Sequence, residues 1–340
     1  MTVKLKDVAK EAGVAINTAS SILNSRKDSW ASEETKKRVR DAAEKLGYVP
    51  NRIARGLSLG KFDTIGLIIP DLQNPFYAAL VTEIENELIE RNYDLVIEDT
   101  RLNFEHEQVC LDKITNRQID GMIINPINSD VIKSHLTPLN KSGTPVVVLG
   151  ESPKTSSLNS IQVDLTESIR KTIQHLVDLG HRNIGFILHS MAAHQKDVPR
   201  IAGFRNALRR HHLKLPEQFV LQCKPTIADS YRTFKTMLEA KPENLPTAFI
   251  CLNDLLAIGT MRAASEAELQ IPGDLSIVGV DDIPLAEFLP VSLTTISQPI
   301  REMAQNAVEA VLKKDSKPAR ITLSGELMIR ESTGPVRKPA

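Results

Sequence analysis

Apolar positions along the chain follow two different rhythms. Over the first fifty residues they recur three or four apart: Val8, Ala9 and Ala12 in residues 6–12, then Ala19, Ile22 and Leu23 in 16–24, then Val39, Ala42, Ala43 and Leu46. That spacing predicts three short helices, each with one apolar stripe. Ser32 ahead of Glu33 and Glu34 marks the third helix start, a capping hydroxyl followed by acids at the positive end of the helix dipole. Gly47 marks its stop. From Thr64 onward the rhythm changes to short apolar runs: IGLII after Thr64, LVI after Asp94, GMII after Asp120 and VVVL after Pro145. IQV after Ser160, IGFIL after Asn183, AFICL after Thr247 and SIVGV after Leu275 complete the series. Continuous β-branched runs separated by amphipathic helices predict parallel strands buried on both faces. Eight such strands are many for one open sheet. The pattern therefore predicts two doubly wound parallel-sheet lobes, breaking near residue 160, behind an all-α head.

Within the head, the spacing across the first two helices carries chemistry. A helix-turn-helix needs a small residue where its helices cross, which Ala9 supplies, and a glycine able to take positive φ at the turn, which is Gly13. Ala19 and Ile22 then face inward and leave Ile16, Asn17, Thr18, Ser20 and Ser21 outside. A short, mostly polar face of this kind can enter the major groove of DNA. The spacing alone also fits a plain three-helix bundle.

Charge separates the two readings. The whole chain balances 42 basic against 42 acidic residues, but residues 1–61 hold 13 Lys and Arg against 7 Asp and Glu. The remainder holds 29 against 35, so a head of net +6 sits on a body of net −6. A basic head on an acidic body suits a polyanionic partner. Three cysteines, Cys110, Cys223 and Cys251, are far apart and suggest a reducing compartment rather than a disulfide scaffold. Residues 1–13 have no apolar leader and no run approaches a membrane span, so a cytoplasmic protein with no membrane partner is expected.

No phosphate-binding glycine motif is present, and His181, His189 and His194 have no nucleophile or carboxylate at a recognisable spacing. Catalytic residues, metal ligands and cofactors are therefore not expected. A two-lobed periplasmic sugar-binding protein would share the body but not the head.

The motifs KDVAKEAGV, NTAS, ILN, SEETKKRV and AAEKLGYVPN, followed by IGLIIPDLQNPFY, IDGMIINP, LVDLGHRNIGFI, RIAGFRNAL, AFICLNDLLAIG, IPGDLSIVGVDD, LTTISQP and LMIREST, run in order through nearly the whole chain. Together they resemble the lactose/galactose repressor family of bacterial transcription regulators. The resemblance implies a helix-turn-helix domain over residues 1–49, a hinge helix over 50–61 and an effector-binding core over 62–340. That core would be periplasmic-binding-protein-like, with one lobe from about 62–161 and 297–321 and the other from about 162–296 and 322–334. It implies a homodimer on double-stranded operator DNA, switched by a small, sugar-like effector.

By the same resemblance Ile16, Asn17 and Ser21 match base-reading positions, and Thr18, Ser20 and Asn24 match phosphate contacts. Asn17 can bond adenine through two hydrogen bonds, and Ile16 can contact a thymine methyl. Ser21 stands where the family commonly has Arg or His, so a strong guanine contact is lost. Ala15 replaces the usual capping Ser, and the 25–31 loop with Trp30 is about two residues longer than usual. In the hinge, Leu57 matches the leucine that wedges into the minor groove, with Ala54 beside it. In the core, Arg200, Asn253 and Asp281 match ligand-contacting positions, and Phe76 and Tyr77 match an aromatic pair. Asn125 stands at a strand end where a ligand would bind. Asp282 and His181 are expected to be scaffold, and Asn253 and Asp254 are also placed to cap the helix that follows. Glu151 and Leu165 depart from the family's pocket pattern.

Overall fold

The computed structural model describes residues 3–23, 31–49, 56, 60–127, 130–150, 157–189, 198–313 and 317–337, with 189 and 198–200 described in their backbone alone. The 25–31 loop, apart from Ala31, and Glu151 lie outside that set, as does Trp30. Contacts divide the chain into two compact units, Met1–Thr64 with Asn116–Asp120, and Ile65–Thr115 with Gly121–Ala340.

The first unit holds α1 (Leu5–Glu11), α2 (Ile16–Leu23) and α3 (Glu33–Lys45). Its core is small because its residues are small: Val8, Ala9, Ala12, Ala19, Ile22, Val39, Ala42 and Ala43 are all buried. Alanine at the helix contacts lets backbones approach closely, and Val39 and Ile22 fill what remains. Ser32 caps α3 as expected, its hydroxyl accepting from the Thr35 amide at 3.2 Å, a contact worth about 1 kcal/mol.

The second unit carries, in chain order, β1 (Thr64–Ile69), β2 (Asp94–Asp99), β3 (Gly121–Ile124), β4 (Val146–Leu149), β5 (Asn159–Asp164) and β6 (Ile184–His189). Then come β7 (Val220–Cys223), β8 (Ala248–Cys251), β9 (Ser276–Asp281), β10 (Thr294–Ser297), β11 (Arg320–Ser324) and β12 (Glu326–Met328). They form two six-stranded sheets, ordered β11-β5-β4-β3-β1-β2 and β12-β10-β9-β8-β6-β7. The recorded pairings are parallel except that β12 runs antiparallel to β10. The helices are α4 (Pro75–Ile89), α5 (Phe104–Thr115), α6 (Thr137–Lys141), α7 (Thr166–Asp178), α8 (Val198–Arg210), α9 (Ile227–Glu239), α10 (Asp254–Glu266), α11 (Leu285–Phe288) and α12 (Ile300–Leu312).

The eight expected strands are present, with two corrections. Four more exist that the apolar runs do not announce, and β2 is only half-buried because it is the edge of its sheet. β7, β11 and β12 are also edge or near-edge strands with mixed sequences. β10 is deeply buried yet reads TTIS, since its threonine hydroxyls find partners inside the protein.

The chain passes between the lobes three times: after β5 at Asp164–Leu165, after β10 at Ser297–Pro299, and between β11 and β12 at Gly325. The lobe break thus falls a few residues beyond 160. Every crossing leaves from the carboxyl end of a strand, so the strand ends of both sheets are gathered where the lobes meet. Leu165, the departure noted above, is buried at one crossing, and a Cβ added to Gly325 would lie 2.6 Å from its Cδ2. His181 is scaffold, as expected. It is buried, with Nδ1 2.8 Å from Thr247 Oγ1 and Nε2 3.1 Å from the Gly334 carbonyl. Burial lowers its pKa, which keeps the ring neutral.

Candidate functional site

In the head, the turn between α1 and α2 is built by Gly13 at φ +64°, where an L side chain would be strained. The Gly13 and Val14 amides donate to the Lys10 and Ala9 carbonyls at 3.2 and 3.0 Å, closing the end of α1 and redirecting the chain. Ala19 and Ile22 then face the core, and α2 presents the opposite side outward. Ile16 is 51% exposed, Asn17 is exposed, and Thr18, Ser20 and Ser21 are half-buried. The structure thus gathers five of the six predicted DNA-facing head residues on one short helix. Asn24, Ala54 and Leu57 lie outside the described residues. A surface ion pair, Lys45 Nζ to Glu11 Oε1 at 2.6 Å, ties α3 to α1 on the head.

In the body, each sheet has a switch point where consecutive connections leave in opposite directions: between β1 and β3 in one, and between β6 and β8 in the other. Loops at the carboxyl ends of strands flanking such points form the ligand crevice of open α/β folds. The loop after β1 carries Asn74, which caps α4 by accepting from the Phe76 amide at 3.0 Å, with Pro75 at the first helical position. Phe76 is 4% exposed and belongs to the core. Its ring meets that of Tyr77 edge-on, 5.1 Å between centroids, and the half-exposed Tyr77 is the ring with surface to offer. In the same loop, burial and then the charge of Asp99 raise the Asp71 pKa, against the lowering effect of the Gln73 amide. Asn125 follows β3, half-buried, its amide donating to the Ile68 carbonyl at 2.9 Å.

In the other lobe, Asn253 follows β8 and does cap α10, its Oδ1 accepting from the Leu256 amide at 2.9 Å. Asp254 is fully buried and structural: it accepts from Thr295 Oγ1 at 2.6 Å and from the Ile283 amide at 2.8 Å. Burial, then the neighbouring Asp281, push its pKa well above the carboxylate range. Gly279 makes room for it, since a Cβ there would lie 2.0 Å from its Oδ1. Asp281 and Asp282 have φ of +119° and +56°, a left-handed pair that costs about 1–3 kcal/mol per residue and persists only where neighbours enforce it. Asp281 is 6% exposed and accepts from Gln298 Nε2 at 2.8 Å. Asp282 pairs with Arg330 at 2.8 Å, a structural role as expected. Arg200 is carried on α8, its side chain outside the described set.

One residue of this site, Gln298, escaped the sequence reading, and Asp254, read there as a companion of the helix cap, has a different role. Gln298, on the crossing after β10, is bonded directly to Asp281. Asp254 holds the 281–283 turn through Ile283. The signal for Gln298 was its place inside the motif LTTISQP, but nothing in the residue type distinguished it from an exposed glutamine.

Comparison with known proteins bears on both halves. The model of bacterial regulatory proteins of the lacI family matches residues 4–51, and that of the periplasmic binding protein-like domain matches residues 173–333. Catabolite control protein A of Staphylococcus xylosus is 30% identical over 315 residues, 92% of each chain. The Priestia megaterium protein of that name is 29% identical over 98% of this chain and 100% of its own. The chain belongs to the LacI family. Among solved structures, the Lac repressor dimer bound to operator and the anti-inducer ONPF superposes with a TM-score of 0.84 at 26% identity, covering 98% of this chain and 100% of that one. A LacI-family regulator from Enterococcus faecium with bound ribose gives 0.69 at 28% identity, over 81% and 100% of the chains. As a LacI-family member the chain is a DNA-binding transcriptional repressor with a ligand-binding core, and not an enzyme. Among the described residues no helix is long and apolar enough to cross a membrane.

Proposed function

We propose that this LacI-family regulator represses transcription in the cytoplasm as a homodimer on an inverted-repeat operator, and that a sugar-like small molecule bound between the lobes switches it. One observation carries the reading: an outward helix face of small polar residues is joined, in one chain, to a body whose strand-end acceptors gather at two switch points. Residues 1–49 read DNA through Ile16, Asn17 and Ser21, and hold phosphates through Thr18, Ser20 and Asn24. Residues 50–61 form the hinge, with Leu57 and Ala54 in the minor groove. Residues 62–340 bind effector through Tyr77, Asn125, Arg200, Asn253 and Asp281, with Phe76 backing the Tyr77 ring.

Carboxylate and amide acceptors, together with the guanidinium that Arg200 would bring, suit a ligand rich in hydroxyls. The ribose in the Enterococcus faecium relative and the operator in the Lac repressor complex support these ligand classes. Ligand that favours one lobe arrangement shifts the dimer toward it, and with it the pairing of the two hinges.

Selection from random duplexes by the full-length protein tests the reading. An enriched palindrome, with affinity falling steeply as salt rises, is the expected result; enrichment of no palindrome refutes it. A thermal-shift screen of pentoses, hexoses, disaccharides and nucleosides should then show a stabilising ligand.

A further inference from the structure

The junction between linker and core is held by a carboxylate that no role above uses. Asp120 precedes β3 and sits in the first unit with the end of the linker. Its Oδ1 accepts from the Phe62 amide at 2.8 Å and its Oδ2 from the Asp63 amide at 2.7 Å. Its own amide donates to the Thr64 carbonyl at 2.8 Å, so three bonds fix three successive residues. Two consecutive amides converging on one carboxylate are charge-assisted and set direction as well as distance.

The chain turns sharply here, with Asp63 at φ +50°. On the linker side, Gly56 accepts from the Gly60 amide at 2.7 Å, and a Cβ on Gly56 would lie 2.2 Å from the Phe62 ring. Gly56 therefore lies against the residue that Asp120 grips.

The other end of β3 leads into the effector loop. Four strand residues separate Asp120 from Asn125. Just beyond, the buried Glu107 of α5 accepts from the Ile127 amide at 2.6 Å. α5, the turn that follows it and β3 thus form a short strut with a carboxylate gripping a backbone amide at each end. Coupling between sites needs a contiguous set of packed and bonded groups, and this is one.

We propose that Asp120 is the positioning residue that couples the effector loop after β3 to the DNA-contacting linker, by fixing the amides of Phe62 and Asp63 to the start of that strand. This rests on the regulator function proposed above. Without the carboxylate the Phe62 and Asp63 amides lose their shared acceptor, and two hinges are no longer presented together to one operator.

The test uses full-length Asp120→Asn and Asp120→Ala proteins and the palindrome enriched by the parent, with a scrambled duplex of equal length. Affinity for the palindrome should fall about 10- to 100-fold in Asp120→Ala, the cost of losing charge-assisted bonds, and less in Asp120→Asn, which keeps one acceptor. Affinity for the scrambled duplex should stay within about twofold, and the melting temperature of the body should not move. Hydrogen exchange at the Phe62 and Asp63 amides should accelerate in both variants. Unchanged palindrome affinity, or an equal loss on both duplexes, overturns the proposal. If the parent itself enriches no palindrome, the regulator reading fails first; unaltered protection of the two amides would then overturn the anchor by itself.

Discussion

Replacing Asp254 by asparagine should leave the second lobe at least as stable near neutral pH as the parent, although it alters a fully buried residue. The carboxyl lies beneath the turn carrying Asp281, gripping Ile283 and Thr295. Burial, followed by the charge of Asp281, raises its pKa well above the ordinary value of 3.8; Asp282, itself paired to Arg330, adds to the rise. The folded protein therefore keeps this proton to a higher pH than the unfolded chain does. Below about 3.8 both states are protonated; above it the unfolded chain releases its proton first. The contribution of Asp254 to stability consequently falls as pH rises through the raised pKa. Asparagine copies the neutral acid: its Oδ1 can accept from Ile283 and its Nδ2 can donate to the Thr295 hydroxyl.

Alanine differs, because it strands a buried amide and a buried hydroxyl at about 1–3 kcal/mol each. At about 2–4 °C per kcal/mol for a lobe of this size, that is a fall of roughly 5 °C or more. Melting followed by circular dichroism at pH 5, 6, 7 and 8 reads all three proteins, with Asp281 and Asp282 common to each. Relative to the parent, Asp254→Asn should gain as pH rises, and Asp254→Ala should lie below both throughout. An asparagine variant that melts several degrees below the parent at pH 8, or a difference that does not vary with pH, would refute the reasoning.

Other changes test the proposed sites. Ser21→Arg supplies a fork able to bond guanine O6 and N7, and random-duplex selection should then enrich G at one position of each half-site. Ile22→Ala removes the largest of the buried side chains of the head core, where only Val8, Ile22 and Val39 exceed alanine among the buried residues, at a cost of about 2–4 kcal/mol; amides of α1–α3 should exchange faster and palindrome binding should fail, while the body melts unchanged. Asp281→Asn keeps an acceptor for Gln298 but removes the charge facing the ligand. Whichever sugar raises the melting temperature of the parent should no longer do so in that variant, and a retained shift would remove Asp281 from the effector site.

Most of the architecture was legible because it rests on residue volume and spacing. The head's alanines at helix contacts, Gly13 at its turn and Ser32 at its cap each have one physical reason to be there, and each is found in that role. Seven of the eight runs form interior strands for an equally simple cause: both faces are covered, so both must be apolar, while β2 lies at a sheet edge. What stayed hidden is polar and buried. β10 offers two threonines to the interior and reads like a loop, and its burial makes sense only once Asp254, forty-one residues earlier, is seen to need the Thr295 hydroxyl. Asp254 in turn reads from sequence as the companion of a helix cap, because nothing local says that Ile283 will return to it. The strained backbone at Asp281 follows from these two residues together. Asp254 holds the amide just beyond the left-handed pair, Gln298 holds the Asp281 side chain from the crossing segment, and neither alone specifies where that carboxylate points. The proposed effector site is therefore set by contacts at long sequence separation, whereas the proposed DNA-reading face is set within a single helix. A substitution such as Ser21→Arg should accordingly change operator preference by itself, while retuning the effector site will require changing Asp281 and the residues that hold it together.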